Sequence, residues 1–146
     1  MTISTERWLL DTNIWLFGLR RDETFPECAK LLSLIGLFSV VIPRQVLKEL
    51  TTNFTEEEAS SFHQLVNDFP EFVELSWDTI PIESVKFYEQ GGCRKGDAII
   101  AAHPERLNAD LIVTENRQFL QMVVELKVKI LTPADALKLL SFRLDQ

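Results

Sequence analysis

Trp8-Leu9-Leu10-Asp11-Thr12-Asn13-Ile14-Trp15-Leu16-Phe17 carries a short apolar run into a polar triplet and out into a second apolar run. A buried strand that stops at the triplet and a helix that starts from it fit this pattern best. Asp11 then stands at the carboxyl end of the strand, and Thr12 or Asn13 is expected to cap the helix. The same unit recurs along the chain. Leu37-Phe38-Ser39-Val40-Val41-Ile42 reads as a second strand, β-branched at its end, with Pro43 in the first turn of a helix over Arg44 to Leu50. Val46, Leu47 and Leu50 form the apolar stripe of that helix, and Glu49 lies beside it. Asp110-Leu111-Ile112-Val113-Thr114 reads as a further buried strand, left through Glu115-Asn116-Arg117. Val128 to Leu131 reads as a last strand, and Thr132 to Leu140 as a closing helix with Pro133 at its start.

Between these units Pro26 to Gly36 reads as a helix with a stripe at Ala29, Leu32 and Leu34-Ile35. Thr55 and Glu58 have the spacing of a capping box and open a helix through about Val66. Phe72 to Leu75 alternates like a short strand, and Ile82 to Tyr88 is weakly helical up to the pair Gly91-Gly92. Strands alternating with helices predict an α/β domain with a mainly parallel sheet. At 146 residues the chain is expected to form a single domain over 1–146 with a substantial core.

A second stretch bears on chemistry. Gly91-Gly92-Cys93-Arg94-Lys95-Gly96-Asp97-Ala98-Ile99-Ile100-Ala101-Ala102-His103 passes from glycines and two cations into an alanine-rich apolar run, with one carboxylate at the boundary. Asp97 is expected at a helix N-terminus, where unpaired N–H groups favour negative charge. The small residues after it suit close packing on a sheet.

Cys28 and Cys93 are far apart and match no ligand spacing, and His63 and His103 are the only histidines. A histidine or thiolate metal site, a disulfide and a nucleophile–histidine pair are therefore disfavoured. Residues 1–7 lack the pattern of a signal peptide, and no apolar run approaches the about 20 residues needed to span a bilayer, so a cytoplasmic protein is expected. The net charge of −7 argues against a surface that attracts nucleic acid everywhere, but an acidic site that holds cations would itself add to that excess.

In an open parallel sheet, ligands collect at the carboxyl ends of the strands where strand order reverses. Asp11, Glu49 and Asp97 with Asn116 are all placed to reach such an edge. Taken singly, Asp11 reads as a cap, Glu49 as a solvated helix residue and Asn116 as a turn former; their joint placement favours a shared site. Clustered carboxylates repel unless one keeps its proton or a cation lies among them. Mg²⁺ takes oxygen ligands, commonly one or two carboxylates with waters and phosphate oxygens. The chemistry suggested is metal-dependent phosphoryl transfer with no covalent enzyme intermediate. Arg44, Lys48, Arg94, Lys95 and Arg117 fall near the same edge, either to contact phosphates or to pair with the carboxylates.

At these residues the chain resembles the PIN-domain ribonucleases, and among them the VapC-type toxins. Trp8 to Asn13 is similar to the family's opening strand and Asp-Thr/Ser-Asn triplet. Pro43 to Leu50 is similar to its second acidic segment, through Glu49. Gly96-Asp97-Ala98-Ile99-Ile100-Ala101-Ala102 and Leu111 to Phe119 resemble its third and fourth, and Ile130-Leu131-Thr132-Pro133 resembles its tail. The resemblance implies a three-layer α/β/α fold around a parallel sheet of about five strands. It implies Mg²⁺ or Mn²⁺ held by Asp11, Glu49 and Asp97, with Asn116 as a fourth catalytic position. It further implies cleavage of single-stranded RNA contacted by Lys95, Arg94, Arg44 and Arg117, a homodimer, and a neutralising antitoxin. Two departures stand out: Asn116, with Glu115 beside it, occupies the fourth acidic position, and His103-Pro104 interrupts a helix that continues in the family. Two other readings share the fold class. One is a PIN-like domain that binds RNA or protein without cutting. The other is a receiver-type phosphoacceptor domain, which wants paired acids after the first strand and an aspartate after the third, and neither is evident.

Overall fold

The computed structural model describes residues 6–77, 86, 89–90, 109–116, 120 and 129–145. Its frame is one sheet of five strands: β1 (Arg7–Leu10), β2 (Ser39–Pro43), β3 (Val73–Ser76), β4 (Leu111–Val113) and β5 (Lys129–Leu131). They lie in the order β3-β2-β1-β4-β5, and every pairing is parallel. Trp8, Leu9 and Leu10 are all buried. Successive strand residues point to opposite faces, so neither face of β1 is open to solvent, as suits the middle strand of a parallel sheet. Register sets Leu10 beside Val113 and Pro43 beside Ser76. The chain leaves β1 towards β2 and β3 on one side and returns to β4 and β5 on the other. Strand order thus reverses between β1 and β4, where their carboxyl ends lie side by side.

Five helices are described: α1 (Thr12–Arg20), α2 (Pro26–Ser33), α3 (Arg44–Asn53), α4 (Glu56–Asp68) and α5 (Pro133–Leu144). α1 packs against α2, α3 and α4, and α2 also meets α5. Ile14, Trp15 and Gly18 form the buried face of α1, with the Trp15 ring edge-on to Phe62 of α4 at 5.4 Å. Gly18 is there for closeness: a Cβ on it would stand 2.4 Å from Leu32 Cδ1 and 3.1 Å from the Cys28 carbonyl oxygen. Among the described residues no helix is long and apolar enough to cross a membrane.

Several expected boundaries move. α2 stops at Ser33, and residues 34–37 form a turn in which the Leu37 N–H donates to the Leu34 carbonyl, because Gly36 takes φ 113°, where a side chain would be strained. Its buried stripe is Cys28, Leu31 and Leu32, with Ala29 only half-buried. β2 accordingly begins at Ser39. Pro43 ends β2 and caps α3 in an extended conformation (φ −75°, ψ 160°), one position before the first helical turn. α3 runs on to Asn53 and α5 to Leu144. The helix after β1 is capped by Asp11 itself, whose carboxylate accepts from the Thr12 N–H. Of the weakly helical 82–88 stretch only Lys86, which is helical, is described.

The capping box at α4 forms as expected and is recruited into a larger brace. Thr55 Oγ1 accepts from the Glu58 N–H, and Glu58 Oε1 accepts from the Thr55 N–H. Glu58 Oε2 accepts from Arg20 Nε at 2.7 Å, while the same guanidinium donates to the Asn53 carbonyl. The ends of α1, α3 and α4 are thereby tied at one point. The hydrogen bond from Arg20 is the main reason the Glu58 carboxyl is held below the usual glutamate range, against the opposing effect of burial. A carboxyl whose pKa is depressed on folding contributes stability above its unfolded pKa and loses it as pH falls through the folded value. Glu58→Gln keeps an acceptor for Thr55 and removes the ion pair. It is expected to cost about 1 kcal/mol at neutral pH, the Arg20 side chain being 40% exposed and so screened. It should also flatten the loss of stability on the acid side, as pH falls through and below the usual glutamate range, in urea denaturation.

Candidate metal centre at the sheet switch point

Asp11 sits where β1 ends, beside Thr114 at the end of β4, and the Asp11 N–H donates to the Val113 carbonyl at 2.9 Å. Its carboxylate is buried, 4% exposed. Asp11 Oδ1 accepts from the Thr12 N–H at 2.7 Å, as the cap of α1. Asp11 Oδ2 accepts from Thr114 Oγ1 at 2.6 Å and from Asn13 Nδ2 at 3.4 Å. Thr12 turns to the other neighbour: its hydroxyl donates to Glu49 Oε2 at 2.5 Å. Glu49 Oε1 in turn accepts from Gln45 Nε2 at 2.8 Å, one turn back along α3. Thr12 therefore links the two expected carboxylates, one through its backbone and the other through its side chain.

The chain leaving β4 is pinned to the same cluster. Thr114 Oγ1 accepts from the Asn116 N–H at 3.0 Å, and Asn13 Oδ1 accepts from the Glu115 N–H at 3.3 Å. Thr114 is fully buried, and its hydroxyl uses its proton towards Asp11 and its lone pairs towards Asn13 and Asn116. Asn116 is thus fixed through its backbone one side chain away from Asp11. Arg44 is exposed at the first turn of α3, directly after Pro43 at the same edge of the sheet. Asp97, Arg94, Lys95 and Arg117 lie outside the described residues.

Three participants carry little mark in the sequence. Thr114 ends an apolar run just as Asp11 does, and this parallel is the one signal that their strands pair in register. Gln45 is recognisable as the residue four before Glu49, hence on the same helical face. Thr12 is visible as part of the triplet, but its link to Glu49 depends on how α3 packs on α1.

The donor set is all oxygen: two carboxylates, two hydroxyls and an amide. Such groups suit a hard divalent cation such as Mg²⁺ or Mn²⁺, for which one or two protein carboxylates suffice. Of the described residues, Asp11 and Glu49 would hold it. Among the described residues no group of three or more His, Cys, Asp or Glu side chains gathers. Cys28 offers no soft alternative. Burial pushes its thiol up to about 12, and the charges of Glu115, Glu27 and Asp22 push the same way, so it stays protonated. His63 is exposed on α4 and packs edge-on to Phe62.

The fold and this edge define a PIN domain. The PIN domain family model matches residues 8–125, and the chain belongs to that family. Its parallel five-stranded sheet with flanking helices is consistent with the family's three-layer α/β/α architecture. No curated protein sequence matches the chain. Among solved structures it is similar to VapBC2 from Rickettsia felis bound to a DNA fragment from their promoter, with 21% identity, a TM-score of 0.56, and coverage of 86% of this chain and 98% of that one. It is also similar to VapBC-1 from nontypeable Haemophilus influenzae (18% identity, TM-score 0.56, 88% and 98% covered). PAE2754 from Pyrobaculum aerophilum is a third (16% identity, TM-score 0.55, 94% and 90% covered). At these identities the likeness is one of fold.

Proposed function

We propose that the chain is a metal-dependent endoribonuclease that hydrolyses single-stranded RNA and is the toxin of a toxin–antitoxin pair. The observation that supports this best is the link Asp11–Thr12–Glu49, which brings two carboxylates to the switch point of a PIN domain. Asp11, Glu49 and Asp97 hold Mg²⁺ or Mn²⁺, and Asn116 completes the catalytic set. A cation held by these carboxylates would supply positive charge to offset that of the phosphodiester transition state. Thr12 and Thr114 orient the carboxylates, and Arg44, Arg94, Lys95 and Arg117 contact backbone phosphates. In the hydrolysis the oxygen of water bonds to phosphorus, the bond from phosphorus to the leaving ribose oxygen breaks, and that oxygen takes up a proton. The antitoxin partner follows from the resemblance to VapC-type toxins and the likeness to VapBC structures. A homodimer in the cytoplasm is the matching form.

The position after β4 tests the reading. Asn116→Ala is expected to reduce cleavage about tenfold or more, and Glu115→Gln to change it little. Asn116→Asp should stay active and need less Mg²⁺, since a further carboxylate attracts the ion. Cleavage of a single-stranded oligonucleotide against Mg²⁺ concentration compares the three, and an inactive Glu115→Gln would make Glu115 the fourth ligand instead. The second reading, a PIN domain that binds without cutting, draws on Asn116 in an acidic position and on the net charge of −7. It takes precedence if the unaltered chain binds the oligonucleotide but leaves it intact at every Mg²⁺ and Mn²⁺ concentration.

A further inference from the structure

The geometry points to Gln45 as the positioning residue of the centre: its side-chain amide holds Glu49 in the orientation that a divalent cation requires, an inference that rests on the metal-dependent reading above. A glutamate on a helix has three rotatable side-chain bonds, and freezing them costs entropy each time a ligand is engaged. Glu49 has both carboxylate oxygens engaged by neutral donors from two different elements. Oε2 takes the Thr12 hydroxyl of α1, and Oε1 takes the Gln45 amide at 2.8 Å within α3. Thr12 alone fixes one oxygen and leaves the carboxylate free to swing about it. Gln45 fixes the second oxygen and with it the plane of the group. Both Gln45 and Glu49 are half-buried, so the bond is shielded more than a surface pair would be.

The identity of the donor matters as much as its place. An amide brings no charge, so it holds the carboxylate without neutralising it, and the attraction of Asp11 and Glu49 for a cation is kept. A lysine or arginine at the same position would place a competing positive charge on Glu49. Residues that orient a ligating group from behind usually count for 10–100-fold in metal affinity by order of magnitude, which sets the scale expected here.

The test uses the whole chain and Mn²⁺ alone, with binding followed by the paramagnetic signal of free Mn²⁺. Gln45→Met keeps the length and helical preference of the side chain and removes the donor; Gln45→Ala is carried alongside in case Met disturbs the packing. Either variant should bind Mn²⁺ about tenfold more weakly, with an unchanged urea midpoint. In a Glu49→Gln background, adding Gln45→Met should change Mn²⁺ binding no further, because the amide acts only through that carboxylate. Wild-type affinity in Gln45→Met and Gln45→Ala overturns the assignment, and so does an equal loss of affinity in the Glu49→Gln background. If Glu49→Gln itself leaves Mn²⁺ binding unchanged, or the unaltered chain binds none, the metal-dependent reading fails first and the role of Gln45 fails with it.

Discussion

Asp11→Asn is expected to lower RNA cleavage about a thousandfold while leaving the fold in place. A cation that offsets charge in the transition state is worth several kcal/mol, and each 1.36 kcal/mol is a factor of about ten in rate. Asn removes a ligand charge but little volume. Its side-chain oxygen caps a helix as well as that of Asp, so the bond to the Thr12 N–H at the start of α1 survives. On the other side Thr114, which donates to Asp11 at 2.6 Å, would meet an amide N–H, and it can accept from that group only by releasing the Asn13 amide or the Asn116 N–H. That adjustment is local, and the burial of Ile14 and Trp15 in α1 is untouched. Single-turnover cleavage, measured beside a urea unfolding curve, separates the two effects. An Asp11→Asn chain that cuts within tenfold of the unaltered one would remove Asp11 from the centre. Asp97→Asn is expected to behave in the same way.

The strands were legible because a parallel sheet buries both faces of its strands, which leaves uninterrupted apolar runs such as Trp8-Leu9-Leu10 and Leu111-Ile112-Val113. The capping box at Thr55 and Glu58 was legible for a local reason, since its two hydrogen bonds close within three residues. Features set by tertiary packing were not. The early stop of α2 depends on Gly36 taking a positive φ, which a glycine permits but does not announce. Three adjacent polar residues all qualify as caps for α1, and the approach of β4 to β1 decides for Asp11 by placing Thr114 beside it.

The site divides along the same line. Asp11 and Glu49 stood out as acids beside apolar runs, and their positions relative to strand ends were enough to pair them. The link through Thr12 was hidden, because the separation of 37 residues between Thr12 and Glu49 is bridged only when α3 packs on α1. Asn116 was placed near the site by its position after a strand. Its attachment through Thr114 Oγ1 follows from a hydroxyl that periodicity marks only as the end of β4. Apolar patterning locates the edge of the sheet, whereas hydrogen bonds across elements decide which side chains are held there.

Removing divalent cations should have an effect as large as Asp11→Asn, because both act on the same charge. The buried Cys28 thiol is held protonated and offers no thiolate for an alternative route. Asp11 and Glu49 are expected to act together as one oxygen-donor centre for a divalent cation. The measurement is cleavage of a single-stranded RNA oligonucleotide by the EDTA-treated chain, followed as Mg²⁺ or Mn²⁺ is restored, for the unaltered protein and for Glu49→Gln. The expected result is no cleavage in EDTA, recovery with either ion, and a Glu49→Gln curve displaced to higher metal concentration. Undiminished cleavage in EDTA, with Glu49→Gln indistinguishable from the unaltered chain, would contradict it.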